Sequence, residues 1–343
     1  MSDLVLVANS EDGTISTLRL RTDGEPRLES VATAPVGPGV GTFAIDTARD
    51  LVYAAHKGDP AIIVTLRLDR ATGYLTPIAR REVDSSMTYL ALAHDGSLLL
   101  GASYGGGFGA VWPAKNGVLG DETARVEFAN LHCVKPVADG GNRSNTVYFV
   151  SLGQDLIAQY RLDEFGELTP LSPETVAAPQ GSGARHLVVE GDDAYLVTEF
   201  SGEAIRFEVG ADGTLTQAES VAFVDPAAGL SHGRFGADPV KERHIWGADL
   251  HVAGRTLLCS ERNSSTITSI SLTDDGHLGD VVSRTETEKQ PRGFTVSPDG
   301  RYAIGVGEKS KRASLYRVEA DGSLALLHRH NVGDGANWVR FVE

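Results

Sequence analysis

The sequence predicts an all-β fold, a seven-bladed β-propeller whose ring is closed by the C-terminal strand joining the N-terminal blade. Three observations predict it. A turn-and-strand unit returns seven times. The segments between turns alternate apolar and polar residues with a period of two. A surplus strand at the C-terminus matches a strand missing from the N-terminal blade. The expected unit is one domain over residues 1–343, since cutting the ring anywhere leaves a broken blade.

The repeated unit is an apolar strand, a turn ending in Gly, and a short strand opening near Leu or Pro. It reads RTDGEPRLES around Gly24, RATGYLTPI around Gly73, KNGVLGD around Gly117 and EFGELTPL around Gly166. It returns as ADGTLTQA around Gly213, DDGHLGDV around Gly276 and ADGSLALL around Gly322. The spacings are 49, 44, 49, 47, 63 and 46 residues, the size of a four-stranded blade. Between the turns, TISTLRL, AIIVTLRLD and STITSISL are rich in Thr, Ile and Val and read as half-buried strands. The D-G and N-G dipeptides supply the positive φ of tight hairpins. No long segment has helical periodicity.

A second register marks the inner strands. They open at Gly41, Thr88, His132, Arg185, Ala248, Arg292 and Asn337. The N-terminus offers only three strands, near LVLVAN, TISTLRL and PRLESV, so the C-terminal NWVRFVE is expected to complete the first blade. Closure removes the sheet edges that otherwise invite aggregation. The long interval holds about fifteen extra residues within Asp225 to Gly247, a stretch rich in Gly, Pro, His and Arg. It reads as a long loop on the channel face, either functional or a passive insertion.

Composition narrows the function. The chain has 343 residues, 41% hydrophobic and 22% charged, ordinary for a globular protein. A net charge of −15 argues against non-specific nucleic-acid binding. It also requires any anion site to be locally basic. Cys133 and Cys259 make no disulfide framework. The opening MSDLVLVANSEDG carries acids where a signal peptide is apolar, and no run approaches ~18 apolar residues. A cytoplasmic protein without membrane partners is expected, as a monomer or a dimer.

The starts of the inner strands converge at one end of the channel, with the loops between second and third strands. This gathers His132, Arg185, His186, Arg262, Arg292 and Lys309, with Glu199, Asp249 and Tyr104 among them. Clustered cations in an acidic protein suit an anion pocket, and guanidinium forks match carboxylate or phosphate. A His and a Glu beside them suit acid–base work. Structural ion pairing is the alternative for each Arg, and Glu199 neutralising Arg185 fits both views. His186 could equally cap a backbone group. Cys133 is adjacent to His132, and neighbours on a strand face opposite ways, which argues against a thiol–imidazole pair. His232 and His244 are too loosely spaced to predict a metal site.

Three segments resemble the bacterial lactonase seven-bladed propellers. GSGARHLVV from Gly181 resembles a G-x-G-P-R-H motif of that family. WGADLHVAGRTLLCSERNSSTITSISL resembles its A-A-D-I-H … S-N-R segment, and QPRGFTVSPDGRYAIGVGEKSKRASLYRV resembles its closing blade. The resemblance covers most of the chain and is similar to the propeller-type 6-phosphogluconolactonases, relatives of the carboxy-muconate lactonising enzymes. It implies a lactone hydrolase of carbohydrate metabolism, in the pentose phosphate pathway, needing no metal or other cofactor. It places the functional positions on His132, Arg185, Glu199 and Arg262. Arg292 and Lys309 are added as anion contacts on physical grounds, and His186, Asp249 and Tyr104 as substrate-binding neighbours. Departures from the pattern are Ala184, Cys133, the YGGGFGAVW loop and the Asp225 to Gly247 loop, all near the mouth.

The expected substrate is a small anionic lactone, 6-phosphogluconolactone first, opened by water attack with Glu199 or His132 as base. An unphosphorylated sugar lactone, or the reverse cyclisation of a carboxy-muconate, needs the same groups. A non-enzymatic interaction propeller would instead present a flat or apolar face.

Overall fold

The computed structural model describes residues 3–137 and 143–342, folded as seven antiparallel sheets. The innermost strands of successive sheets pack side by side, which arranges the sheets as blades around an axis. The first blade is assembled from both ends of the chain. Ala336–Phe341 pairs with Leu4–Asn9, followed outwards by Thr14–Arg21 and Arg27–Pro35. Val7 lies opposite Val339, and Ala8 opposite Trp338, so the ring closes as the surplus strand predicts. Six blades have four strands; in the third the outer strand is divided into Val118–Leu119 and Ala124–Glu127.

Burial explains where the period of two is seen. The second strand of a blade, such as Leu4–Asn9, Leu51–His56 or Thr146–Ser151, is buried at every residue because another blade covers each face. These strands read as continuous apolar runs. Outer strands such as Leu278–Glu286 alternate half-buried with exposed positions. The core lies between blades: Leu6, Ile15 and Trp338 of the first blade pack with Phe43, Val52 and Val64 of the second.

The repeated glycine has a second role beyond the hairpin. Gly73, at φ +68°, lies so close to the preceding blade that a Cβ would sit 2.6 Å from Val31 Cγ1. The Thr17 hydroxyl donates to the Gly73 carbonyl at 2.7 Å. Gly213 repeats this one half-turn of the ring away, where Tyr148 donates to its carbonyl at 2.6 Å. These two hairpin tips are therefore clasps on the blade before them, and the motif there encodes blade-to-blade contact as well as turn geometry.

The Asp225 to Gly247 stretch is a folded loop with a short 3₁₀ turn at Pro226–Ala228 and a bridge between Ser231 and His244. No α-helix occurs among the described residues, and none is long and apolar enough to cross a membrane.

Candidate active site

Seven blades contribute to a cavity of about 420 Å³ at the ends of the inner strands. The first blade brings Ser10 and Asn337, and the second Gly41, His56 and Lys57. The third brings Thr88 and Tyr104, the fourth His132, the fifth Glu199. The sixth gives Trp246 and Arg262, and the seventh Arg292 and Glu308. Wider hollows of about 600 and 460 Å³ lie between outer strands, at Arg161–Asp212 and at Arg125–Glu167, away from these groups.

The electrostatic centre is Glu199. Its Oε2 accepts from Arg185 Nε at 2.8 Å and faces Arg262 Nη2 at 2.9 Å, so both guanidinium contacts fall on one oxygen. Burial pushes the Glu199 carboxyl up, but Arg262 and Arg185 outweigh it and hold the group below its ordinary range. Arg262 donates to the Trp246 and Gly247 carbonyls at 3.3 and 3.2 Å, and its guanidinium lies 3.7 Å from the centre of the Trp246 ring. Burial lowers both arginines, with Glu199 opposing. Arg185 also donates to the Ala248 carbonyl, is only 1% exposed, and is not among the cavity-lining residues.

Bulges aim these side chains. In the fourth blade Leu131 pairs with Ser151 and Cys133 with Val150, leaving His132 as the extra residue. In the fifth, Ala184 pairs with Thr198 and His186 with Val197, leaving Arg185 extra. In the sixth, Ala248 and Asp249 fall in the gap between Gly247 and Leu250. A bulge releases a side chain from strict alternation and turns it toward a site.

His132 is the imidazole of the cavity. Burial lowers it well below the usual imidazole value, helped by Arg185, so the ring is neutral at neutral pH. Its Nδ1 is buried without a partner. An unpartnered buried acceptor is less costly to find than an unpartnered N–H, so the proton belongs on Nε2, the nitrogen left for the cavity. The His132 ring lies tilted against that of His186, centroids 5.0 Å apart, and His186 sits behind the wall. His186 Nδ1 donates to Asp249 at 2.8 Å and its Nε2 takes Arg185 Nη1 at 3.3 Å. Burial and Arg185 pull His186 down to about 3. Asp249 is 2% exposed and also meets His251 at 3.4 Å.

The structure thus brings His132, Glu199, Arg262, Arg292 and Tyr104 to one cavity, with Tyr104 edge-on to His132 at 5.9 Å. It places Arg185, His186 and Asp249 behind the wall as supports. Lys309 is not brought there: it is exposed and pairs with Glu11 at 2.6 Å. Arg292 faces Glu308 at 3.4 Å and is 36% exposed. Lys57, His56 and Asn337 also line the cavity, and none of them was among the candidates drawn from the sequence. Lys57 lines the cavity with no ion pair among the described residues, and Asn337 Oδ1 is buried without a partner. Their absence of partners is a property of the folded neighbourhood and left no motif. Among the described residues no three His, Cys, Asp or Glu side chains form a metal-ligating group.

The family model described as a seven-bladed β-propeller lactonase matches residues 4–341. A 6-phosphogluconolactonase of Serratia proteamaculans is 31% identical over 353 aligned positions, covering 100% of this chain and 99% of that protein. The 6-phosphogluconolactonase of Sodalis glossinidius is 30% identical, covering 99% and 98%. Among solved structures, a protein from Lactobacillus plantarum superposes with a TM-score of 0.87 at 22% identity, covering 100% of both chains. The Pseudomonas aeruginosa periplasmic gluconolactonase gives 0.84 at 22%, covering 99% of each.

Proposed function

The chain belongs to the seven-bladed β-propeller lactonase family, and from that premise we propose that it hydrolyses the ring ester of a phosphorylated sugar-acid lactone, 6-phosphogluconolactone. The observation that carries the reading is the Glu199 carboxylate clamped by Arg185 and Arg262 at a cavity that also holds the neutral His132 and the cations Arg292 and Lys57.

Glu199 stays ionised at neutral pH, and with Oε2 engaged by two guanidinium groups its Oε1 is left for a water. That oxygen orients the water and accepts its proton as the water attacks the lactone carbonyl. Arg262 and the Nε2–H of His132 donate to the carbonyl oxygen as it becomes an oxyanion, fixed donors that need no reorganisation as the charge develops. The proton then passes from Glu199 to the ring oxygen as the C–O bond breaks, releasing the open-chain acid. Arg185 holds Glu199 and is held in turn by His186 and Asp249, so it is a positioning residue. Arg292 and Lys57 hold the phosphate. Nothing in this sequence of steps calls on a metal.

The phosphate assignment rests on Lys57, an exposed cation at the cavity rim of an acidic protein, with no ion pair among the described residues. The test compares 6-phosphoglucono-δ-lactone with glucono-δ-lactone by continuous proton release. A marked preference for the phosphorylated lactone supports the reading; equal kcat/KM for both removes the phosphate from it.

A further inference from the structure

We propose that the Asp225 to Gly247 loop builds a second subsite beside the reaction cavity, which accepts a further sugar ring linked to the lactone. The proposal rests on the lactonase reading of the main cavity and extends its substrate class to glycosylated aldonolactones.

The main cavity, at about 420 Å³, already lies within the roughly 300–1,000 Å³ range of small-molecule sites and has room for a single sugar lactone. A second hollow of about 270 Å³ opens beside it and shares Tyr104, Glu199 and Trp246 with it. A substrate seated at Glu199 therefore borders both. The remaining wall comes from Phe200 and from the loop, through Phe235, Pro239 and Ile245.

The chemistry of this wall differs from that of the cavity. Its cation, Arg234, is neutralised by Glu242 at 2.7 Å. Its imidazole, His244, is bonded to Ser231 at 2.9 Å and to Glu242 at 3.1 Å. No free charge is left to favour a phosphate. What is left is apolar and aromatic surface, including Phe235, which is 57% exposed. An aromatic face at an open rim suits the C–H face of a pyranose, whose hydroxyls stay in water.

The wall is also built in advance. Gly233 N donates to Phe200 O at 2.9 Å and Ile245 N to Ser231 O at 2.8 Å. Asn263 Nδ2, on the strand connection after Arg262, donates to Pro239 O at 2.7 Å and to His244 O at 2.5 Å. The loop is thus tied to the blade that supplies Arg262, and binding against it costs little ordering.

The test measures binding and turnover separately. Gluconate and its 4-O-glucosyl derivative, maltobionate, are titrated against the wild-type protein and Phe235→Ala by calorimetry. The proposal predicts that maltobionate binds wild type at least about threefold tighter than gluconate, a gain of the size of one aromatic contact, and that Phe235→Ala erases the difference while leaving gluconate binding unchanged. Equal affinities in wild type, or the same loss for both ligands in Phe235→Ala, overturn it. Hydrolysis of 6-phosphoglucono-δ-lactone is followed in parallel. If that activity is absent while the binding preference holds, the lactonase reading fails and the subsite stands.

Discussion

Arg185 Nε lies 2.8 Å from Glu199 Oε2, and the two come from adjacent segments of one blade, with Arg185 buried behind the cavity wall and Glu199 at its surface. The pair gives the wall a charged inner layer and an outer layer that can act. Arg262 completes it from the next blade at 2.9 Å. The three groups carry a net positive charge in a protein of net −15, which is what a local anion site in an acidic molecule requires.

Arg262→Ala is expected to lower kcat by about 10²–10³-fold, the cost of one lost oxyanion donor. KM changes much less, because the interaction is made with the transition state. A rise in KM with kcat intact would instead mark Arg262 as a ground-state contact.

Glu199→Gln keeps the shape of the side chain and removes the base. Turnover should fall about 10²–10⁴-fold. Because the two arginines hold the carboxyl below its ordinary range, the acid decline of the wild-type rate should be centred below the ordinary Glu value of ~4.3. Stopped-flow pH profiles check this; a decline centred near ~6.5 would contradict a carboxylate base with a depressed pKa.

Arg185→Met removes a partner of a mostly buried carboxylate. Glu199 keeps Arg262 and some solvent contact, so the stability loss should be about 2–3 kcal/mol, below the full cost for a sealed ion pair. Urea unfolding measures it. An unchanged midpoint would show that the pair contributes nothing to folding.

His132, His186 and His251 are all held below the ordinary imidazole value, burial being the main cause in each. The unfolded chain takes up protons below about 6.5 that the native state refuses, so the stability these groups give is present above that pH and lost as pH falls. Asp249 and Glu199, also depressed, add to the loss in the carboxylate range. Tm should be level above pH 7 and fall steadily from about 6.5 downwards. A Tm unchanged between pH 7 and pH 5 contradicts the assignment of three neutral rings.

Most of the fold was legible because the blade motif is written in local chemistry. Gly73 and Gly213 each mark a hairpin and a contact with the preceding blade, so one residue type repeats for two reasons. The C-terminal strand was legible by counting. The site was legible only to the depth of the strand register. Position along the chain brought His132, Arg185, Glu199 and Arg262 to one end of the channel. Whether each reaches the cavity depends on bulges at His132 and Arg185, which no periodicity shows. Lys309 lies in the expected loop, yet Glu11 of the neighbouring blade captures it, while Lys57, in the equivalent loop of another blade, meets no acid among the described residues and lines the cavity. That difference is decided by neighbours across the ring.

Lys57→Met should therefore raise KM for the phosphorylated lactone by about tenfold, the loss of one charge-assisted contact, with a far smaller change for glucono-δ-lactone. Lys309→Met should alter neither. The reverse ranking of the two variants would return the phosphate to the seventh blade.

The central claim is that Glu199, ionised between two guanidinium groups, activates water against a lactone ring. The most direct measurement is single-turnover hydrolysis of 6-phosphoglucono-δ-lactone by wild type and by Glu199→Gln, read as proton release and corrected for spontaneous opening. The account predicts rapid wild-type hydrolysis and a Glu199→Gln rate at least about a hundredfold lower with the substrate still bound. Equal rates for the two proteins would contradict it.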